Sequence, residues 1–239
     1  MSRSFPASRL IEGAGSDARQ TDPWEAAYLR FETPEQEVDK FAKRLIKVGA
    51  ARWPRDAEIV ELFCGRGNGL HALSKLGFTR LTGVDLSASL LAQYTGPAKV
   101  YVRDCRNLIF TDQCKDIVVI HGGLHHLPAL SQDLDQTLAE IYRILKDDGL
   151  LMVVEPWLTP FLSLVHAACR SGIAKRLSRK IDALATMILC ERHTYEQWLS
   201  QPEMILSQLQ RYFHANQSSF QWGKLIFVGR KKVGKSRIN

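Results

Sequence analysis

Between residues 58 and 155 the chain alternates short, almost wholly apolar runs with longer stretches whose apolar residues recur every three or four positions. The runs are E-I-V-E-L-F, L-T-G-V-D, K-V-Y-V-R-D, D-I-V-V-I-H and G-L-L-M-V-V-E, ending at Phe63, Asp85, Asp104, His121 and Glu155. Each has the length of a strand, and apolar runs without a wet face belong in a sheet covered on both sides. The stretches between them predict helices: Leu70 to Leu76, a segment capped by Ser87, and 131–146 with Leu134, Leu138, Ile141 and Leu145 inward. L-K-D-D-G reads as the stop of the last, with Gly149 in the C-terminal cap role. Alternation of this kind predicts a parallel α/β sheet.

Outside this core the pattern changes. Residues 1–22 are polar and read as a flexible arm, and 23–55 read as a helical cover. In the cover, T-P-E-Q-E starts a helix, with Thr33 as cap, Pro34 at the first position, and Val38, Phe41, Ala42, Leu45 and Ile46 on one face. The core domain spans 56–232, interrupted at about 157–208 by a helical insertion placed to cover a substrate. F-H-A-N-Q-S-S-F-Q and K-L-I-F-V-G-R near the end read as an antiparallel pair of strands, and 233–239 as a basic tail.

Composition narrows the class. With 239 residues and 45% hydrophobic content the chain buries a core without staples. Five scattered cysteines with no C-x-x-C pair argue against a disulfide framework or a zinc site. The first residues lack an apolar signal core, and no apolar run is long enough to cross a bilayer, so a cytoplasmic location is expected. A net charge of +7 fits an anionic cofactor, an anionic membrane surface or nucleic acid.

The chemistry concentrates where the first strand meets its helix, in I-V-E-L-F-C-G-R-G-N-G. Gly65, Gly67 and Gly69 leave a bare backbone at a helix N-terminus, which favours an anionic ligand. The dinucleotide pattern G-x-G-x-x-G is not met, because Leu70 stands at its last glycine. Asp85 at the tip of the next strand is placed to accept both hydroxyls of a ribose. Asp104 and His121 stand at the following tips, a row that packing alone does not explain.

In order, V-E-L-F-C-G-R-G-N-G, G-V-D-L-S, R-D-C-R-N-L-I-F, D-I-V-V-I-H-G-G-L-H-H-L and I-L-K-D-D-G-L-L-M-V-V-E-P resemble the successive motifs of class I S-adenosylmethionine-dependent methyltransferases, in the small-molecule type-11 branch. The resemblance covers about residues 55–156 and departs at Phe63 and at Arg66–Asn68. It implies a Rossmann-like, doubly wound, mostly parallel seven-stranded sheet with an antiparallel last strand and helices on both faces. S-adenosyl-L-methionine is the implied cofactor, leaving as S-adenosyl-L-homocysteine. Glu61 and the Gly65–Gly69 backbone, with Phe63 and Asn68, would hold its methionine part. Asp85 would take the ribose, with Leu86 nearby, and Asp104 and Cys105 would meet the adenine. His121 and Gly122 would line the methyl end, and Tyr28 or Arg30 would reach the carboxylate.

His125, His126 and His166 are the candidate bases at the methyl end, and Glu155 and Trp157 face the same side. No carboxylate stands at ligand spacing from His121, His125 or His126, so no metal is expected. The acceptor is read as a small or lipid-like molecule. H-G-G-L-H-H-L-P replaces the N/D-P-P-Y/F sequence of many nucleic-acid amino-methylating enzymes, so DNA is excluded and RNA disfavoured as acceptor. An RNA methyltransferase, or an inactive cofactor- or partner-binding protein of the same fold, is the alternative. Residues 173–189 project as one amphipathic helix, with Ile173, Leu177, Ile181, Leu184 and Ile188 opposite Lys175, Arg176, Arg179 and Lys180. It reads as a lid or as a helix in weak contact with an anionic membrane surface.

Overall fold

A computed structural model describes residues 23–232. The arm at 1–22 and the tail at 233–239 lie outside the described residues. The five core strands are β1 (Ile59–Leu62), β2 (Leu81–Asp85), β3 (Lys99–Val102), β4 (Lys115–His121) and β5 (Leu145–Pro156). The final pair is β6 (Phe213–Gln221) and β7 (Lys224–Lys231). They form one seven-stranded sheet in the order β3-β2-β1-β4-β5-β7-β6. Pairing is parallel from β3 to β5, and β7 runs antiparallel to both of its neighbours. This is the doubly wound, mostly parallel sheet the motif order implied.

Side chains of successive residues leave a strand on opposite faces. Val60, Leu62, Val118, Ile120, Leu151 and Val153 therefore enter one core, with Leu134, Leu138 and Ile141 of α5 (Leu130–Ile144). Ile59, Ile117, Val119, Leu150, Met152 and Val154 enter the other. There they meet Phe41 and Leu45 of α2 (Pro34–Lys47) and Leu70 and Leu73 of α3 (Asn68–Lys75). Two buried faces explain why these strands read as unbroken apolar runs.

The cap of α2 forms as its sequence dictates: Thr33 Oγ1 accepts from the Gln36 N–H at 3.3 Å, and Gln36 Oε1 accepts from the Thr33 N–H at 3.5 Å. Ile46 departs from the expected buried face and lies half in water. Gly149 is not a helix cap. The α5 helix ends at Ile144, and the turn is made by Asp148 at φ 63.

Five helices follow β5: α6 (Pro160–Arg170), α7 (Gly172–Leu177), α8 (Arg179–Cys190), α9 (Arg192–Ser200) and α10 (Pro202–Tyr212). The single amphipathic helix expected over 173–189 is broken. Ser178 leaves helical geometry at φ −134 and caps α8 by accepting from the Ile181 N–H. Ile173 and Leu177 consequently do not share a buried face with the rest; they are 74% and 83% exposed. From the N-terminal cover, α1 (Pro23–Phe31) packs against α8.

Candidate active site

The strand order reverses at β1, which pairs with both β2 and β4. Ligands of open α/β sheets bind beyond the strand ends at such a switch point. Leu62 lies in register with Val84 and Ile120, so the loop after β1 opens directly between Asp85 and His121. Its backbone is held in the left-handed region at Phe63 (φ 57), Gly65 (φ 50) and Gly67 (φ 78). Glycine occupies that region freely, whereas Phe63 is strained there. A Cβ at Gly67 would collide with the Tyr94 ring, and one at Gly69 with the Glu61 carboxyl group.

Asp85 holds this loop in place. Its Oδ2 accepts from the Gly65 N–H at 2.8 Å and its Oδ1 from the Ser87 N–H at 2.8 Å. Each oxygen retains a lone pair for a further donor, as a ribose diol requires. Leu86 beside it is exposed. Glu61 is buried beneath the loop, and its Oε2 has no hydrogen-bond partner among the described residues. Burial, and then the neighbouring Glu37 carboxylate, push the Glu61 carboxyl well above its ordinary range. A cationic ligand group would reverse that shift.

The N-terminal helices close over the loop. Tyr28 bonds to Glu37, which also accepts from Asn68 Nδ2 at 2.5 Å, and the Arg66 guanidinium lies 4.8 Å from the centre of the Tyr28 ring. Arg30 is not brought to the site. It pairs with Asp182 of α8 at 3.3 Å, because its face of α1 packs on that helix. Arg44 reaches in instead, bonding to His121, whose ring packs on Phe41 at 3.6 Å. Burial, then Arg44 and Lys224, hold His121 well below its usual range and therefore neutral. Burial and Arg44 likewise lower Lys224 to about 8. Arg44 was missed in the sequence because its helix reads as ordinary cover; no motif marks it.

At the tip beyond β3, Asp104 is already chelated by Arg106, with contacts of 2.6–3.1 Å, and Arg106 also reaches Asp133 at 2.7 Å. The Arg106 bonds hold the Asp104 carboxyl below its ordinary value. An adenine amino group would have to share this carboxylate with Arg106. The Cys105 side chain turns into the core, 3.4 Å from Thr137 Oγ1, which leaves only its backbone for a ligand. Gly122, at φ 77, follows His121 out of β4.

The turn after β4 presents His125 and His126. Glu155, fully buried at the end of β5, accepts from the Gly123 and Leu124 N–H groups at 2.8 and 2.7 Å and bonds His125 Nδ1 at 2.6 Å. Burial would raise this carboxyl, but the His125 interaction and the two backbone donors outweigh it and hold it below its usual range. From the α8–α9 junction, Glu191 comes within 3.1 Å of His126 Nδ1. Tyr195 of α9 stands edge-on to His125 and hydrogen-bonds His166 Nε2 at 3.0 Å. Thus two carboxylates from distant segments flank the histidines, although sequence spacing offered none. A cleft of about 450 Å³, lined by residues including Val38, Arg66, Asn68, His71 and Thr95, borders the glycine loop rather than the histidine turn.

An open sheet with a bare loop and a carboxylate at its switch point defines a nucleoside-cofactor-binding α/β domain. Residues 60–153 match the type-11 family described as "Methyltransferase domain", which supports a class I S-adenosylmethionine-dependent methyltransferase. The chain is 35% identical over 127 residues to the demethylmenaquinone methyltransferase of Lactobacillus johnsonii, a match covering 48% of each. It spans about half the length of the curated relatives it matches. In fold it resembles the PH0226 protein of Pyrococcus horikoshii, with a TM-score of 0.64 and 17% identity, covering 89% of this chain and all of that one. An S-adenosylmethionine-dependent methyltransferase of Mesorhizobium loti superposes with a TM-score of 0.55 at 18% identity, covering 81% of this chain and 100% of that one.

Proposed function

We propose that the protein transfers a methyl group from S-adenosylmethionine to a small, lipid-like acceptor bound beneath the α6–α9 helices. The observation that carries this reading is the polar cluster of His125, His126, Glu155 and Glu191 at the ends of β4 and β5. It lies among aromatic rings rather than in open solvent. The name of the Lactobacillus relative, a demethylmenaquinone methyltransferase, supports an apolar acceptor.

When bound, the cofactor supplies an electrophilic methyl group on sulfur, and the protein's own residues do the rest. Asp85 and the Gly65–Gly67 backbone seat the nucleoside and methionine portions. The free oxygen of Glu61 suits the amino group, and Arg44 replaces Arg30 as the cation for the carboxylate. Glu155 fixes the turn that carries His125 and His126. His166 takes the proton that the acceptor gives up. Burial and Arg170 lower its pKa, so it is neutral at pH 7 while His125 and His126 are engaged with carboxylates.

The surface around α6 and α7 fits delivery from a membrane. Trp222, at the β6–β7 turn, is 75% exposed and meets the Phe161 ring edge-on. Leu164, Ile173 and Leu177 are exposed nearby in sequence, among Arg170, Lys175, Arg176, Arg179 and Lys180. Apolar and cationic groups together suit an anionic lipid surface. No helix among the described residues is long and apolar enough to cross a membrane; the contact in this reading is a peripheral one. The test is methyl-labelled cofactor incubated with the protein and a total cell extract, then separated into lipid, aqueous small-molecule, RNA and protein fractions. Label in the lipid or small-molecule fraction is expected; label confined to RNA, or none, overturns the reading.

A further inference from the structure

We propose that His125, His126 and Glu191 bind one divalent transition-metal cation at the acceptor end of the site. The three residues offer ligand atoms that all lie within 4.8 Å of one another. Glu191 Oε2 is 3.1 Å from His126 Nδ1, and Glu191 Oε1 is 3.9 Å from His125 Nε2. The 3₁₀ turn at Leu124–His126 places the two rings 4.1 Å apart on one side of the chain, so adjacent residues serve one centre. Two imidazoles and one carboxylate form the donor set of open zinc and non-haem iron sites.

The surrounding bonds are those such a site needs. A metal-ligating histidine commonly gives its second ring N–H to a carboxylate, which fixes its tautomer and orientation. Glu155 does this for His125: its oxygens are acceptors only, so the Nδ1–H donates at 2.6 Å and Nε2 keeps its lone pair toward Glu191. Trp24 Nε1–H donates to Glu191 Oε2 at 3.1 Å and anchors the third ligand. Charge points the same way. Glu155 is wholly buried and the Glu191 side chain is largely so, and both face two imidazoles. One divalent cation balances both carboxylates without protonating either ring.

Three protein ligands leave coordination positions for water or for an oxygen of the acceptor. A cation there would polarise that oxygen and lower its pKa. Metal binding itself is independent of the methyl-transfer reading; this role for it rests on that reading. The competing arrangement is a plain ion pair between protonated His126 and Glu191, and it predicts no metal uptake.

The experiment uses the full chain, stripped with chelator and titrated with Zn²⁺ against a chromophoric competitor, then with Co²⁺ for its visible absorption. One equivalent should bind, with a Co²⁺ spectrum of low coordination number. Glu191→Gln, which keeps an acceptor for Trp24, and His126→Ala should each weaken binding at least tenfold. Affinity for S-adenosylhomocysteine is measured on the same samples and should be unchanged in both variants. No uptake by the parent chain, or uptake that neither substitution alters, overturns the metal site. Loss of S-adenosylhomocysteine binding in the parent chain would instead strike the cofactor reading.

Discussion

Replacing Glu155 with alanine should unfold the acceptor side of the site more than any surface change. The carboxylate is 0% exposed and makes three bonds, to two backbone N–H groups and one imidazole. Alanine leaves two buried amide donors without acceptors, at about 1–3 kcal/mol each. The His125 Nδ1–H loses its acceptor as well, at a similar cost of about 1–3 kcal/mol. These estimates overlap, and a combined loss of about 3–6 kcal/mol is reasonable. For a chain of this size each kcal/mol lowers Tm by about 2–4 °C, so the fall should be roughly 6–24 °C. Glu155→Gln is the control. Its amide oxygen still accepts from Gly123 and Leu124, while its NH₂ faces His125 Nδ1 and forces the other tautomer. It should lose less than half as much stability. Scanning calorimetry of the parent and both variants reads the difference. A Tm within about 2 °C of the parent for Glu155→Ala would refute the anchoring role argued from these bonds.

Gly67→Ala should lower stability and cofactor affinity together. A non-glycine residue at φ 78 costs about 1–2 kcal/mol, and the added methyl meets the Tyr94 ring; chemical denaturation and calorimetry with S-adenosylhomocysteine check both. The acid limb of kcat/KM should lie below the ordinary histidine pKa, with activity rising as pH increases through it. His166 must be neutral to accept a proton, and burial and Arg170 lower its pKa against the opposing Glu196, with Tyr195 as its hydrogen-bond partner. A limb above about pH 6.5 would assign the base elsewhere. Trp222→Ser with Leu177→Ser should weaken cosedimentation with anionic vesicles at least fivefold while leaving turnover of a soluble acceptor unchanged; equal cosedimentation would remove the membrane contact.

The parts of the molecule legible in the sequence are those fixed by local backbone. The unbroken apolar strands, Thr33 with Gln36, and the glycines beside Asp85 carry their reasons within a few residues. The acceptor side was not legible in the same way. Glu155 meets His125 across 30 residues, and Glu191 arrives from the end of α8, so the carboxylate partners were invisible to a search by spacing. Arg30 and Arg44 both lie on cover helices, and only the packing of α1 on α8 decides which one points inward. The break at Ser178 did carry a signal, since serine is a preferred N-cap, but the regular apolar spacing across 173–189 masked it. Arg106 was likewise read past, although its position two residues after Asp104 allows the local chelate that now occupies that carboxylate.

Isothermal calorimetry with S-adenosylhomocysteine, on the parent chain and on Asp85→Ala, tests the central claim most directly. The cofactor seat described above predicts stoichiometric binding by the parent and at least tenfold weaker binding by the variant, whose circular dichroism stays that of the parent. Absence of binding by the folded parent, or equal affinity in the two proteins, would contradict it.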